Sequence, residues 1–152
     1  MSDSITFENT TPRFALPLLQ VGQAQKEAFV NEALSRCDMM LHGTVSGERA
    51  DPPGDPAAGE TWLVAEGATG EWSGKQGCLA GFHGGNWLFA QPCEGLRIYD
   101  LSTRQERLFD IFWRKASLPV EPLGGMTVDV QARAAIAEVI VVLQALGIVP
   151  SA

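Results

Sequence analysis

Between Gly59 and Gly95 large apolar side chains alternate with turn residues at short intervals, and this stretch sets the expected fold. It carries Trp62, Trp72 and Trp87 and more than half of the 16 glycines in the 152-residue chain. Such a pattern predicts short strands joined by tight turns. Thr61 to Val64 is a β-rich run, and turns are expected at 67–70 and 74–77. Cys78 to His83 and Asn86 to Gln91 flank Gly84-Gly85. Two glycines take positive φ without a Cβ penalty, as the two-residue loop of a hairpin requires.

Before this block the apolar period becomes helical. Val30, Ala33, Leu34, Cys37, Met40 and Leu41 fall at i, i+3, i+4, i+7, i+10 and i+11. One stripe of this kind predicts a helix from about Gln20 to Leu41, apolar face down on the Gly/Trp sheet, with Gly43 as its left-handed cap. Gln23, Gln25 and Asn31 are expected either in solvent or hydrogen-bonded across a subunit contact. Beyond the block, residues 96–100 and 105–113 read as two or three further strands around a Ser102-Thr103 turn. Proline- and glycine-rich connectors are expected at 45–59 and 118–125.

A second helix is capped by Thr127 or Asp129, runs to about Leu146 and closes at Gly147. From Ala134 to Leu146 its strongly polar side chains are Glu138 and Gln144. A helix apolar nearly all round is expected to be buried nearly all round. Copies of the chain or a neighbouring subunit would supply that cover, through Val130, Ala134, Ala137, Ile140 and Val141. At the other end, Ile5 and Phe7 alternate with Thr6 and Glu8, which suits a docking arm added as a strand to a neighbour's sheet edge.

The expected architecture is α+β. An N-terminal amphipathic helix packs on a small antiparallel sheet of short hairpin strands, and a separate hydrophobic C-terminal helix serves oligomerisation. Along the chain this gives an extended arm at 1–13, a helix plus small β-domain at 14–115, a linker at 116–126 and an oligomerisation helix at 127–152.

Composition narrows the function. A hydrophobic content of 45% supports a packed core, and a net charge of −7 with 11 Lys and Arg argues against nucleic acid as a partner. The longest apolar run, Val139 to Leu143, is too short for membrane insertion. Cys37, Cys78 and Cys93 show no CxxC spacing, and the polar N-terminus has no signal-peptide pattern. Synthesis in a reducing bacterial cytoplasm is therefore expected. Cys78 and Cys93 could approach across neighbouring strands, but buried free thiols are the favoured reading.

No catalytic residue, cofactor or metal ligand is assigned. His83-Gly84-Gly85 is reminiscent of an esterase oxyanion loop, yet no GxSxG is present, and His42 and His83 are the only histidines. The histidines and cysteines lack metal-site spacing, and no phosphate loop is present. Carboxylates such as Asp51 with Asp55, or Glu60 with Glu71, leave a polysaccharide hydrolase open as one alternative. Among the tryptophans, Trp62 and Trp87 sit in apolar runs and read as core. Trp72 lies between Glu71 and Ser73 near two turns, and with His83 and Asn86 it forms the candidate glycan contact, which leaves a stand-alone carbohydrate-binding module as a second alternative.

Several pieces carry a family resemblance: Leu16-Pro17, Gln20 with 22–27 (GQAQKE), Asn31-Glu32-Ala33-Leu34, Pro56 with Gly59-Glu60, Ala68-Thr69-Gly70 with Trp72, Gly85 with Trp87, and Pro92 with Gly95. Spread over roughly residues 12 to 100, they resemble DUF2793, small proteins and fibre modules of unknown function in tailed phages and gene transfer agents of alphaproteobacteria. The resemblance implies a non-enzymatic structural component of a phage-like particle, in a head spike, a tail fibre or its attachment base. It also implies other virion proteins (capsid, spike or tail) as partners beside the homo-oligomer, and a part in attachment to cell-surface polysaccharide.

Overall fold

A computed structural model describes residues 9–20, 22, 26–120, 124–125 and 128–151. The chain is α+β and divides into two compact units, Met1–Pro92 and Cys93–Ala152. That boundary falls inside the 14–115 segment expected to be one domain.

The first unit contains α1 (Lys26–Met40), β1 (Thr44–Val45), β2 (Glu48–Arg49), β3 (Thr61–Val64), a single 3-10 turn at Gly70–Trp72, β4 (Leu79–His83) and β5 (Asn86–Ala90). Its sheet runs β2-β3-β4-β5, with β2 parallel to β3 and the other neighbours antiparallel. The predicted hairpin is present: Gly84 and Gly85 have φ of +56° and +80°, and His83 pairs with Asn86 across the turn. Val64, Trp72 and Ala80 form the core on one side of this sheet, with Trp62, Ala68, Trp87 and Phe89 packed against them.

Trp72 is fully buried, its ring edge-on to Trp87 at 5.0 Å and 87°. It is therefore core and no glycan contact, contrary to the expectation drawn from its polar neighbours. Gly70 and Gly74, at φ of +60° and +75°, turn the chain on either side and send the indole inward.

Helix α1 is described from Lys26, and the expected start at Gln20 does not hold, since Gln20 is not helical and Gly22 has φ of +112°. The Asn31 amide clasps Leu19, accepting from its N–H at 2.8 Å and donating to its carbonyl at 2.9 Å. Asn31 is thus satisfied within the chain, while Gln23 and Gln25 lie outside the described residues. The inward face of α1 is Asn31, Leu34, Ser35, Asp38 and Met39, spaced i, i+3, i+4, i+7 and i+8. Of the expected apolar stripe, Val30, Ala33, Cys37 and Leu41 are exposed.

The reason is Asp38, whose buried carboxylate accepts from the Thr11 hydroxyl at 2.7 Å and from the backbone N–H of Arg13 and Phe14 at 3.1 and 2.7 Å. Arg13 completes the clasp by donating to the carbonyls of Asp38, Met39 and His42 at 3.1, 2.8 and 3.0 Å, at the helix end where a cation is favoured. His42, at φ +47°, takes the left-handed position expected of Gly43. Thr11 and Arg13 are therefore tied to this unit, with Thr11 buried and Asn9, Thr10 and Pro12 exposed, and Thr10 bridges to Pro17. Ile5 and Phe7, and the docking role expected of them, lie outside the described residues.

On β4, a Cβ added to Gly81 would lie 2.5 Å from the sulfur of Met39, which is fully buried. Gly81→Ala is expected to lower stability by about 1–3 kcal/mol through overpacking, measured by urea denaturation. An unchanged midpoint would mean that α1 yields at this contact.

The second unit comprises β6 (Arg97–Asp100), β7 (Gln105–Asp110), β8 (Phe112–Lys115) and α2 (Val130–Ala145). Its strands form an antiparallel meander, and Ile111, at φ +65°, marks the bend from β7 to β8. Asp129 caps α2 by accepting from the Ala132 N–H at 2.9 Å, Arg133 donates to the Gly124 carbonyl, and Gly147 closes the helix at φ +67°. Ile140 is buried and Ala137 half-buried, whereas Val130, Ala134 and Val141 are exposed, so the predicted contact stripe is split between the chain's own interior and solvent. All three cysteines are free; Cys37 and Cys93 are exposed and Cys78 is half-buried, so the expected burial of the thiols does not hold.

Candidate functional site

The β4–β5 turn carries His83 and Asn86 to one end of the first unit's sheet, where α1 and the 10–18 segment close around them. The result is a cleft of about 520 Å³. Thr10, Thr11, Pro12 and Leu18 form one wall and Asn31, Glu32 and Ser35 of α1 another, with Ala58, His83, Gly84, Asn86 and Leu88 completing it. The clasp of Asp38 on residues 11–14 holds the first wall, and that of Asn31 on Leu19 holds its far end.

His83 is only 7% exposed, and neither ring nitrogen has a hydrogen-bond partner. Burial pushes its imidazole below the ordinary value of 6.5; the Asp38 carboxylate works against this and the Arg13 charge adds to it. The ring is therefore neutral at pH 7, with one N–H donor and one bare nitrogen. At the rim Asn86 is exposed and donates to the Gly84 carbonyl at 3.1 Å. Arg36 donates to the Glu32 carboxylate at 2.7 and 3.0 Å and to the Phe89 carbonyl on β5 at 2.6 Å. No Lys or Arg is among the described residues that line the cleft.

Of the three residues expected to touch a glycan, the fold brings His83 and Asn86 together and puts Trp72 in the core. Sequence reasoning missed Asn31, Glu32 and Ser35. A polar repeat at Asn31, Ser35 and Asp38, at i, i+4 and i+7, was the available signal for a helix with a polar inner face.

A second surface lies on α2, where Pro119, Ala135, Ile136, Val139, Ile140 and Leu143 line an apolar groove of about 290 Å³. Opposite the inward Arg133, Ala137, Ile140 and Gln144, the side chains of Ala135, Val139, Val142 and Leu146 are exposed, the last three by 57, 55 and 64%. Among the described residues no group of His, Cys, Asp and Glu is placed to hold a metal ion, and no helix is long and apolar enough to cross a membrane.

Comparison with known proteins gives one match. The model of a family described as a protein of unknown function, DUF2793, matches residues 30–114, more than half of the chain. It takes in most of α1, β1 to β7 and all but the last residue of β8, and leaves out α2 and the 16–29 part of the quoted resemblance. No curated protein and no solved structure matches.

Proposed function

The chain belongs to the DUF2793 family, and from that premise we propose that it is a self-associating, non-enzymatic structural component of a tailed-phage-like particle. Its place is a head spike, a tail fibre or the attachment base, in a phage or gene transfer agent. It is made in the bacterial cytoplasm, assembles with other virion proteins and contributes to attachment on host-surface polysaccharide. The particle itself rests on the resemblance.

The observation that carries self-association is the outward face of α2. Ala135, Val139, Val142 and Leu146 are spaced 4, 3 and 4 residues apart, the seam spacing of paired helices. Covering each Val or Leu contributes roughly 1.5–3 kcal/mol relative to leaving it in water. A second copy brings the same uncharged stripe, and two copies related by a two-fold axis bury it mutually. The contact therefore shifts from the Ile140 side, which the chain covers itself, to the Val139 and Val142 side.

Solution mass tests this. The wild-type chain is expected to be oligomeric at micromolar concentration, and Val139→Asp with Val142→Asp to be monomeric with unchanged helicity. Ile140→Asp, by contrast, is expected to disturb the fold. A monomeric wild type, or a double variant that assembles normally, would count against the reading. Release of sugar from host capsule by the purified protein would overturn its non-enzymatic part.

A further inference from the structure

We infer that the groove on the β6–β8 meander, where Arg97, Arg114 and Lys115 surround Leu108 and Ile148, seats residues 1–8 of a second copy of the chain. This rests on the proposed self-association and deepens it by giving the oligomer a second contact besides α2.

The groove, of about 420 Å³, lies wholly within the second unit and gathers three of the 11 Lys and Arg of a protein whose net charge is −7. Strand register explains the arrangement. Arg97 on β6 and Arg114 on β8 both pair with Leu108 on β7, so the three share one row and one face of the meander. Neighbouring strands lie about 4.8 Å apart, which sets the two arginine stems roughly 10 Å from each other with Leu108 between them. Ile148, 44% exposed beyond the end of α2, adds an apolar surface to the lining. Arg97 and Arg114 hold Glu106 and Asp110 at 3.0 and 2.7 Å, but these side chains are 36–63% exposed, and pairs so wet contribute little and exchange readily. Lys115 has no ion pair among the described residues. The groove therefore offers an apolar floor with cations around it and one carboxylate, Glu106, in its lining.

The segment that precedes Asn9 has the complementary pattern. Residues 1–8 hold Asp3 and Glu8 and no Lys or Arg. In an extended chain Asp3, Ile5 and Phe7 fall on one face, while Ser4, Thr6 and Glu8 fall on the other. The first face matches the groove: Ile5 and Phe7 cover Leu108 and Ile148, and Asp3 meets Lys115. Eight extended residues span about 27 Å, enough to reach from one copy onto its neighbour. Once α2 holds two copies together, seating the segment is effectively intramolecular, so a small contact suffices. A nucleic acid fits less well, because Glu106 stands among the cations and the whole chain repels phosphate.

Photocrosslinking of the full-length chain tests this, with p-benzoylphenylalanine in place of Phe7 and an equal mixture of isotope-labelled and unlabelled protein. Mixed labelled–unlabelled products that join the segment to residues 97–116 or 148 are expected. Ile5→Ser is expected to lower their yield about tenfold, through the lost apolar burial. Asp3→Lys is expected to lower it about threefold, and Lys115→Asp, at an exposed position, to restore the yield in that background. Products confined to single chains, products outside the groove, or a Lys115→Asp change that restores nothing would overturn the inference. Solution mass reads α2 separately. An oligomeric wild type whose segment crosslinks elsewhere sinks this inference alone, and a monomeric wild type that still gives mixed products in the groove at high protein concentration sinks the α2 contact alone.

Discussion

Asp38→Ala is expected to cost the first unit about 3–5 kcal/mol, because three donors lose one charged acceptor at once. The carboxylate is fully buried and is the shared acceptor for the Thr11 hydroxyl and the Arg13 and Phe14 backbone N–H groups. Removing it leaves those donors facing a cavity, and a buried unsatisfied donor costs about 1–3 kcal/mol. Thr11→Val probes a smaller part: the hydroxyl donates to Asp38 and accepts from the Leu16 N–H at 3.0 Å, so about 1–3 kcal/mol is expected. Urea denaturation gives both values. An Asp38→Ala protein within 1 kcal/mol of wild type would mean that residues 11–14 are held by something else. A structural consequence follows, since Thr10 to Pro12 form a wall of the cleft: that wall is expected to loosen at conditions where the sheet is still folded.

The same cluster explains where the fold was legible in the sequence. The hairpin, the strands after it and the limits of α2 depend on local chemistry: Gly84-Gly85 for the turn, alternation for the strands, Asp129 and Gly147 for the helix ends. Such signals lie within a few residues of the structure they specify. The orientation of α1 does not. Apolar periodicity assumes that the apolar side turns inward, but Asp38 finds its partners 24 to 27 residues away, in Thr11, Arg13 and Phe14, and their hydrogen bonds outweigh the burial of Val30, Ala33 and Cys37. Trp72 was misjudged for a related reason. Its neighbours Glu71 and Ser73 are exposed, and only the backbone turns at Gly70 and Gly74 aim the indole inward. The cleft was half legible: the turn marked His83 and Asn86, while the wall from α1 required its orientation. On α2 the apolar character was plain, but which side the chain itself covers depends on tertiary packing.

In the second unit, Asp100→Asn is expected both to destabilise and to remove a pH dependence. Asp100 on β6 and Arg107 on β7 are buried, with side-chain exposures of 0 and 5%, and pair at 2.5 and 2.7 Å. Ser102 donates to the other carboxylate oxygen through its N–H at 2.9 Å and its hydroxyl at 2.6 Å. Burial by itself raises the Asp100 carboxyl, but the hydrogen bonds from Ser102 and Arg107 and the Arg107 charge outweigh it and hold the group below its ordinary value of 3.8. In the folded state, then, the proton binds less readily than in the unfolded chain. The stabilisation is fully present above the ordinary carboxylate value and is lost as pH falls through the depressed folded one. Removing the charge leaves the Arg107 guanidinium buried opposite a neutral amide, with an expected cost of about 3–5 kcal/mol at pH 7. Because Asn does not titrate, the gap between variant and wild type should narrow on acidification below the ordinary carboxylate range. Denaturation midpoints of both proteins followed from pH 7 into the acid range decide it. A gap that stays constant over that range would show that the carboxylate's ionisation is not what holds β6 to β7.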